Sequence, residues 1–185
     1  MILILSLCKE KLHELEFVKP IEKIVKENHL VKSYKDITMG DLKKADKVIL
    51  SGTSLKDFDY LGDLDNFLWI KDFDKPLLGI CAGMQVLVHH LGGELSRDDR
   101  SIIEHIEIGI NTVKFNKTFL GIPKGKSEVY SLHRLGVGEI GKNFDVYAKS
   151  DKDIQAVKHK SKDIYGVLFH PEVYNHEVIE EFAKL

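Results

Sequence analysis

The chain has 185 residues, of which 43% are hydrophobic, and a formal net charge of −2 at pH 7. This length suits one domain with a substantial core, expected to span residues 1–185. The near-neutral charge gives no reason to expect nucleic acid or an anionic membrane as a partner. No apolar run approaches the roughly 20 residues of a membrane-spanning helix. With only two cysteines we expect no disulfide framework and a cytoplasmic location.

Strand-like and helix-like segments alternate in the first half of the chain. Residues 2–7 predict a buried strand and not a signal peptide, because a basic n-region and a cleavage site are missing. Pro20 is expected to begin the main helix of the charged segment that follows. The next expected elements are strands near 30–34 and 47–51, a helix at about 62–71 and a strand that runs into residue 81. The alternation predicts an α/β fold with a doubly wound, mostly parallel central sheet and helices on both faces.

The second half of the chain changes to strand-like alternation. The expected strands are 106–115, 129–132, 144–148 and 154–160. Turns separate them, so we expect them to add antiparallel strands to the sheet. Residues 175–185 predict a short final helix with Val178, Ile179 and Phe182 on its inner face.

Cys81 lies where an apolar run gives way to a helix-like one, inside the motif G-I-C-A-G-M-Q. A strand-to-helix turn lifts such a residue out of the sheet, and the positive end of the helix favours its thiolate. Gly79 and Gly83 flank the cysteine, and we expect them to supply the backbone angles that a sharp elbow needs. A small buried cysteine without chemistry is the alternative.

A second segment, G-V-L-F-H-P-E, ends an apolar strand with His170 and places Glu172 two residues further on. A thiol nucleophile needs a base for its proton, and the base needs an acceptor on its other ring nitrogen. His170 and Glu172 supply these two roles, although a strand-end histidine is also often a hydrogen-bonded surface residue.

The two motifs together resemble the class I (triad) glutamine amidotransferases, whose central domain is flavodoxin-like. The resemblance implies Cys81 as the nucleophile, His170 as the general base and acid, and Glu172 as the residue that orients the histidine. It also implies that Gln85 helps to hold the substrate, L-glutamine, which is cleaved through a γ-glutamyl thioester to glutamate and ammonia.

The resemblance further implies an oxyanion hole made of two backbone N–H groups. One belongs to Ala82, directly after the nucleophile, and the other comes from a loop that usually reads S-G-G-P. Here the loop reads S-G-T-S, so Gly52 keeps its place as a substrate contact while Thr53 replaces the second glycine. A β-branched residue resists positive backbone angles, so a differently shaped loop is expected at Thr53.

A third segment, Y-S-L-H-R-L, aligns with the W-x-S-H-x-D segment of the GMP synthetase branch. His133 is retained, and the main chains of Arg134 and Leu135 are expected to contact the substrate. Residues 154–160 and 164–173 also resemble the stand-alone glutaminase subunit of that branch. The resemblance therefore implies a separate ATP-dependent synthetase that aminates XMP with the released ammonia, since this chain has no room for such a domain.

Three alternatives remain from the sequence: a γ-glutamyl peptidase or hydrolase, the glutaminase subunit of another synthetase such as anthranilate synthase, and a non-catalytic regulatory module. Neither a P-loop nor a Rossmann fingerprint is present, and adjacent histidines such as His89 and His90 point in different directions. We therefore expect no cofactor and no metal.

Overall fold

The computed structural model describes residues 1–92 and 102–185. In this part of the chain the strands are β1 (Ile2–Ser6), β2 (His29–Ser33), β3 (Lys47–Leu50), β4 (Leu77–Ile80), β5 (Ile102–Phe115), β6 (Gly125–Val137), β7 (Phe144–Lys149), β8 (Ile154–His159) and β9 (Ile164–Val167). The α-helices are α1 (Glu14–Phe17), α2 (Lys19–Ile24), α3 (Met39–Lys44), α4 (Asp59–Gly62), α5 (Ala82–Leu91) and α6 (Glu177–Lys184). Two 3-10 helices span Lys11–His13 and Leu64–Lys71.

The strands form one sheet in the order β2-β1-β3-β4-β9-β8-β7-β5-β6 within the described residues. The five strands from β2 to β9 run parallel, and the remaining pairs are antiparallel. The predicted fold class is confirmed: a parallel α/β core carries an antiparallel extension. Because β3, β4 and β9 are parallel neighbours, the loops that follow them meet at one edge of the sheet.

Alternating side chains of the strands build a core on each face of the sheet. Ile2 and Ile4 of β1 face one core with α1, α2 and α6, whereas Leu3 and Leu5 face the other with α3 and α5. Parallel strands that are covered on both faces have near-continuous apolar sequences, as β1 has. This two-sided burial fixes the positions of the strand ends that carry the candidate site.

Most predicted elements are confirmed, and their bounds show the differences. Pro20 lies in the first turn of α2, and Val178, Ile179 and Phe182 are the buried residues of α6 together with Ala183. The helix expected at 62–71 is a 3-10 helix over Leu64–Lys71. The strands expected at 106–115 and 129–132 are longer, because they pair with each other over a long hairpin between β5 and β6.

None of the helices within residues 1–92 and 102–185 combines the length and the apolar character that crossing a bilayer requires.

Candidate active site

Cys81 occupies a strained turn between β4 and α5. Its backbone has φ 49° and ψ −105°, which is unusual for a residue with a side chain. The N–H of Cys81 donates to the carbonyl of Val167 at 2.7 Å, and its own carbonyl accepts from the N–H of Gln85 at 3.1 Å. The cysteine is thus fixed to β9 on one side and begins α5 on the other, as a nucleophile elbow requires.

The two flanking glycines do not have the role that the sequence suggests. The positive φ belongs to Cys81 itself, and neither Gly79 nor Gly83 has one. A Cβ on Gly79 would lie 2.5 Å from the backbone of Gly83, and a Cβ on Gly83 would lie 2.4 Å from the carbonyl oxygen of Leu50. The glycines are therefore needed for the close approach of α5 to β4 and β3, and the expectation about their backbone angles is wrong.

His170 and Glu172 follow β9, which pairs with β4 in the register Ile80 to Val167. The Nδ1 atom of His170 lies 2.7 Å from Oε1 of Glu172, and both side chains are almost fully buried. The N–H of His170 donates to the carbonyl of Tyr130 at 2.8 Å, and Phe17 packs at 5.5 Å from the imidazole ring. The ring is thereby held in one orientation.

Both nitrogens of the His170 ring face acceptors. Nδ1 faces the Glu172 carboxylate, and Nε2 lies 3.2 Å from the carbonyl oxygen of Leu132. Two acceptors favour a ring that carries two protons. In agreement, although burial alone lowers the pKa of His170, the charges of Glu172 and Cys81 outweigh burial and raise this pKa well above 6.5. A protonated imidazole is the charge partner that a thiolate needs.

The carbonyl of Leu132 in β6 is the point where the nucleophile and the base meet. Its oxygen lies 3.9 Å from Sγ of Cys81 and 3.2 Å from Nε2 of His170. Leu132 is not among the site residues that the sequence predicts. A main-chain contact of this kind leaves no signal in the sequence, since any residue type provides a carbonyl.

The loop after β3 lies directly against these two side chains. A Cβ added to Gly52 would meet Cε1 of His170 at 2.7 Å and Cβ of Cys81 at 3.5 Å. Gly52 therefore lets the loop approach the catalytic pair. Thr53 and Ala82, the predicted oxyanion donors, both border the small cavity beside Cys81.

The expected backbone conflict at Thr53 is absent. Among the described residues with side chains, only Cys81, Leu120 and Asn175 have positive φ, so Thr53 adopts an ordinary backbone conformation. Its hydroxyl donates to Oδ2 of Asp57 at 2.8 Å. The expectation that threonine strains this loop is wrong, because the loop is built without a left-handed residue at that position.

Gln85 lies in the first turns of α5 and is buried. Its Nε2 donates to the carbonyl of Leu135 at 2.7 Å, and its Oε1 accepts from the hydroxyl of Tyr60 at 2.5 Å. Both ends of the amide are therefore used within the protein, and Gln85 fixes the main chain of residues 132–135 at the cavity. Tyr60 is a part of the site that no motif in the sequence indicates.

His133 points away from the catalytic pair into a buried polar network. Its Nε2 lies 3.2 Å from Oε2 of Glu107, and the same oxygen accepts from Nε2 of Gln155 at 2.5 Å. Burial lowers the pKa of His133 below 6.5 even though Glu107 and Asp153 oppose this shift. Candidate metal-ligand atoms of Glu107, His133 and Asp153 come within 4.8 Å of one another, but the contacts of Glu107 make this cluster a hydrogen-bonded support for β6.

The cavity at Cys81 brings together most of the predicted substrate residues. It has a volume of about 20 Å³, and its walls include Thr53, Cys81, Ala82, Gln85, Leu132, His133, Arg134 and Leu135. This volume holds about one water molecule. A free glutamine needs far more room, so the segment 132–135 or the loop 51–54 must move for substrate to enter.

Comparison with known proteins agrees with this geometry. A family model described as "Glutamine amidotransferase class-I" matches residues 13–183. The chain belongs to the class I glutamine amidotransferase family.

The curated relatives lie within one branch of that family, the glutamine-hydrolyzing subunits of GMP synthase. The subunit from Methanosphaera stadtmanae is 40% identical over 122 residues, which cover 63% of either chain. The subunit of the same name from Archaeoglobus fulgidus is 33% identical over 135 residues, covering 72% of this chain and 70% of that one. The match therefore spans slightly less than two thirds of the first of these two relatives.

A solved structure supports the fold along the whole chain. The crystal structure from Thermoplasma acidophilum, of a protein described as a putative subunit of GMP synthase, superposes with a TM-score of 0.81. It covers 100% of this chain and 93% of that one at 23% identity. At this identity the likeness concerns the fold alone.

Proposed function

We propose that this chain is the glutaminase subunit of a two-subunit GMP synthase. It hydrolyses L-glutamine to glutamate and ammonia and delivers the ammonia to a separate synthetase that aminates XMP with ATP. The observation that carries the proposal is the meeting of Cys81 and the His170–Glu172 pair at one carbonyl oxygen, that of Leu132. The names of the curated relatives support the choice of acceptor.

The first half of the reaction forms a thioester. The Cys81 thiolate, beside the protonated His170 ring, attacks the side-chain amide carbon of glutamine and forms a C–S bond. The backbone N–H groups of Ala82 and Thr53 receive the oxyanion. When the C–N bond breaks, its electron pair goes to nitrogen, which takes the Nε2 proton of His170 and leaves as ammonia.

The second half regenerates the enzyme. His170, now neutral at Nε2, takes a proton from water while the water oxygen attacks the thioester carbon. The C–S bond breaks, its electron pair returns to the sulfur of Cys81, and glutamate leaves. Glu172 keeps Nδ1 protonated through both halves, which holds the ring in the orientation that the reaction needs.

The closed cavity supports control by a partner. About 20 Å³ beside Cys81 cannot admit glutamine, so opening must precede catalysis. Ammonia released into bulk water is mostly protonated at neutral pH and is then no nucleophile. We propose that residues 1–185 act as one catalytic domain in the cytoplasm and that the synthetase docks over the Cys81 face, at the loop 51–54 and the segment near His133.

Glutamine-dependent ammonia release tests the proposal. We expect low activity for the chain alone, strong activation by the XMP-aminating subunit of a GMP synthase with XMP and ATP, and no activity for Cys81→Ala. Cys8→Ala is the matched control: burial raises the pKa of Cys8 to about 11, so this thiol stays protonated and the variant should keep wild-type activity. Full activity of Cys81→Ala would contradict the mechanism, and activation by another synthetase but not this one would contradict the acceptor.

A further inference from the structure

Asp57 is a buried carboxylate that ties three segments together beside the candidate site. One oxygen, Oδ2, accepts from the backbone N–H of Lys9 at 3.1 Å, from Nδ1 of His13 at 2.8 Å and from the hydroxyl of Thr53 at 2.8 Å. Only 4% of Asp57 is exposed. The N–H of Asp57 also donates to the carbonyl of Ser54 at 2.9 Å, so the carboxylate closes the loop 51–57 on itself.

The loop that Asp57 holds contains the predicted second oxyanion donor. Thr53 borders the cavity next to Cys81 and Ala82. Within residues 1–92 and 102–185 the backbone N–H of Thr53 makes no hydrogen bond to a backbone carbonyl. The N–H is therefore free to serve a substrate oxygen, provided that the loop keeps its present shape.

The same loop is also tied to the segment after β1. Ser51 donates its hydroxyl to the carbonyl of Gly52 at 2.8 Å and accepts from the N–H of Leu7 at 3.1 Å. These bonds hold the beginning of the loop but not Thr53. The bond from the Thr53 hydroxyl to Asp57 is the side-chain anchor at the residue that carries the donor.

We propose that Asp57 is a positioning residue for glutamine cleavage, which holds the Thr53 hydroxyl so that the Thr53 backbone N–H stays aimed at the oxyanion. This inference rests on the proposed function. In chains with glycine at this position no side chain is present to be anchored, so the Asp57–Thr53 bond is a device that the threonine itself makes possible. An oxyanion donor acts only when it is held in place before the charge develops.

The test compares Thr53→Val, Thr53→Ser, Asp57→Ala and the double variant Thr53→Val/Asp57→Ala. Valine keeps the shape and the β-branch of threonine but removes the hydroxyl, whereas serine keeps the hydroxyl. Ammonia release is measured with glutamine and the XMP-aminating subunit. In parallel, the alkylation of Cys81 by iodoacetamide is measured, because this displacement of iodide forms no oxyanion and reports the thiolate alone.

We expect Thr53→Val and Asp57→Ala to lower kcat roughly 10- to 100-fold, less than the full loss of an oxyanion donor, with KM and the alkylation rate nearly unchanged. Thr53→Ser should keep kcat close to wild type. In the double variant the loss should not exceed that of the worse single variant, since both act through one hydrogen bond. Thr53→Val leaves the bonds of His13 and Lys9 to Asp57 in place, so the test stands even if Asp57→Ala does not fold.

Three results would overturn the inference alone: wild-type kcat in both single variants, a fall in alkylation that parallels the fall in kcat, or losses that multiply in the double variant. A wild-type protein that releases no ammonia with the partner present would instead overturn the proposed function, and this inference with it.

Discussion

Replacing Gly52 with alanine should disable the site while leaving the fold in place. The added Cβ would lie 2.7 Å from Cε1 and 3.3 Å from Nδ1 of His170. Ordinary contacts begin near 3.4 Å, so the ring must retreat by roughly 0.7 Å, the difference between these two distances. Glu172 and the Leu132 carbonyl hold the ring from either side, and neither bond survives such a shift unchanged.

The expected effect follows from this displacement. Misplacing a catalytic group by 1 Å can lower a rate about 100-fold, so we expect Gly52→Ala to lower kcat roughly 10- to 100-fold. The chain must still fold, because the clash is with a side chain and not with backbone. Overpacking of this kind typically lowers the free energy of unfolding by about 1–3 kcal/mol.

The assay is ammonia release with the XMP-aminating subunit, combined with urea denaturation to confirm folding. Gly62→Ala is the control, since a Cβ at Gly62 meets nothing within 4 Å, and it should leave both measurements unchanged. A folded Gly52→Ala protein with wild-type kcat would refute the reasoning, because the loop would then not touch the catalytic histidine.

Two other predictions concern stability. Gly83→Ala places a Cβ 2.4 Å from the backbone oxygen of Leu50, so urea denaturation should show a loss of about 1–3 kcal/mol or more; an unchanged midpoint would mean that α5 does not approach β3 this closely. The pKa of His170 is raised above 6.5 in the folded chain, so its ion pair stabilises fully below pH 6.5 and this contribution is lost as the pH rises through the folded-state pKa. The difference in unfolding free energy between wild type and His170→Asn should therefore shrink as the pH rises above 6.5, and a difference that grows with pH would contradict the ion pair.

The sequence predicts those parts of the site that short motifs encode. The elbow at Cys81 and the strand-end pair of His170 and Glu172 each lie within a few residues, and each combines a strand pattern with a turn. The parallel core follows from alternation of strands and helices. These features depend on local periodicity, which a single sequence shows directly.

Contacts between distant loops could not be predicted in this way. The Tyr60 hydroxyl reaches Gln85 across 25 positions, and the Thr53–Asp57 bond depends on a loop shape that no motif specifies. The glycines around Cys81 suggest special backbone angles because an elbow usually needs them, whereas the structure uses them for close packing. A glycine in a sequence shows that a Cβ is missing, but not whether space or angle is the reason.

The most direct test of the central claim is to trap the covalent intermediate. The chain is mixed with glutamine and the XMP-aminating subunit, quenched with acid during turnover, and mapped by peptide mass spectrometry. The mechanism predicts a γ-glutamyl group on the peptide that contains Cys81 and none in the His170→Asn variant. Ammonia release during turnover with Cys81 unmodified, or with the γ-glutamyl group on another residue, would contradict the assignment of Cys81 as the nucleophile.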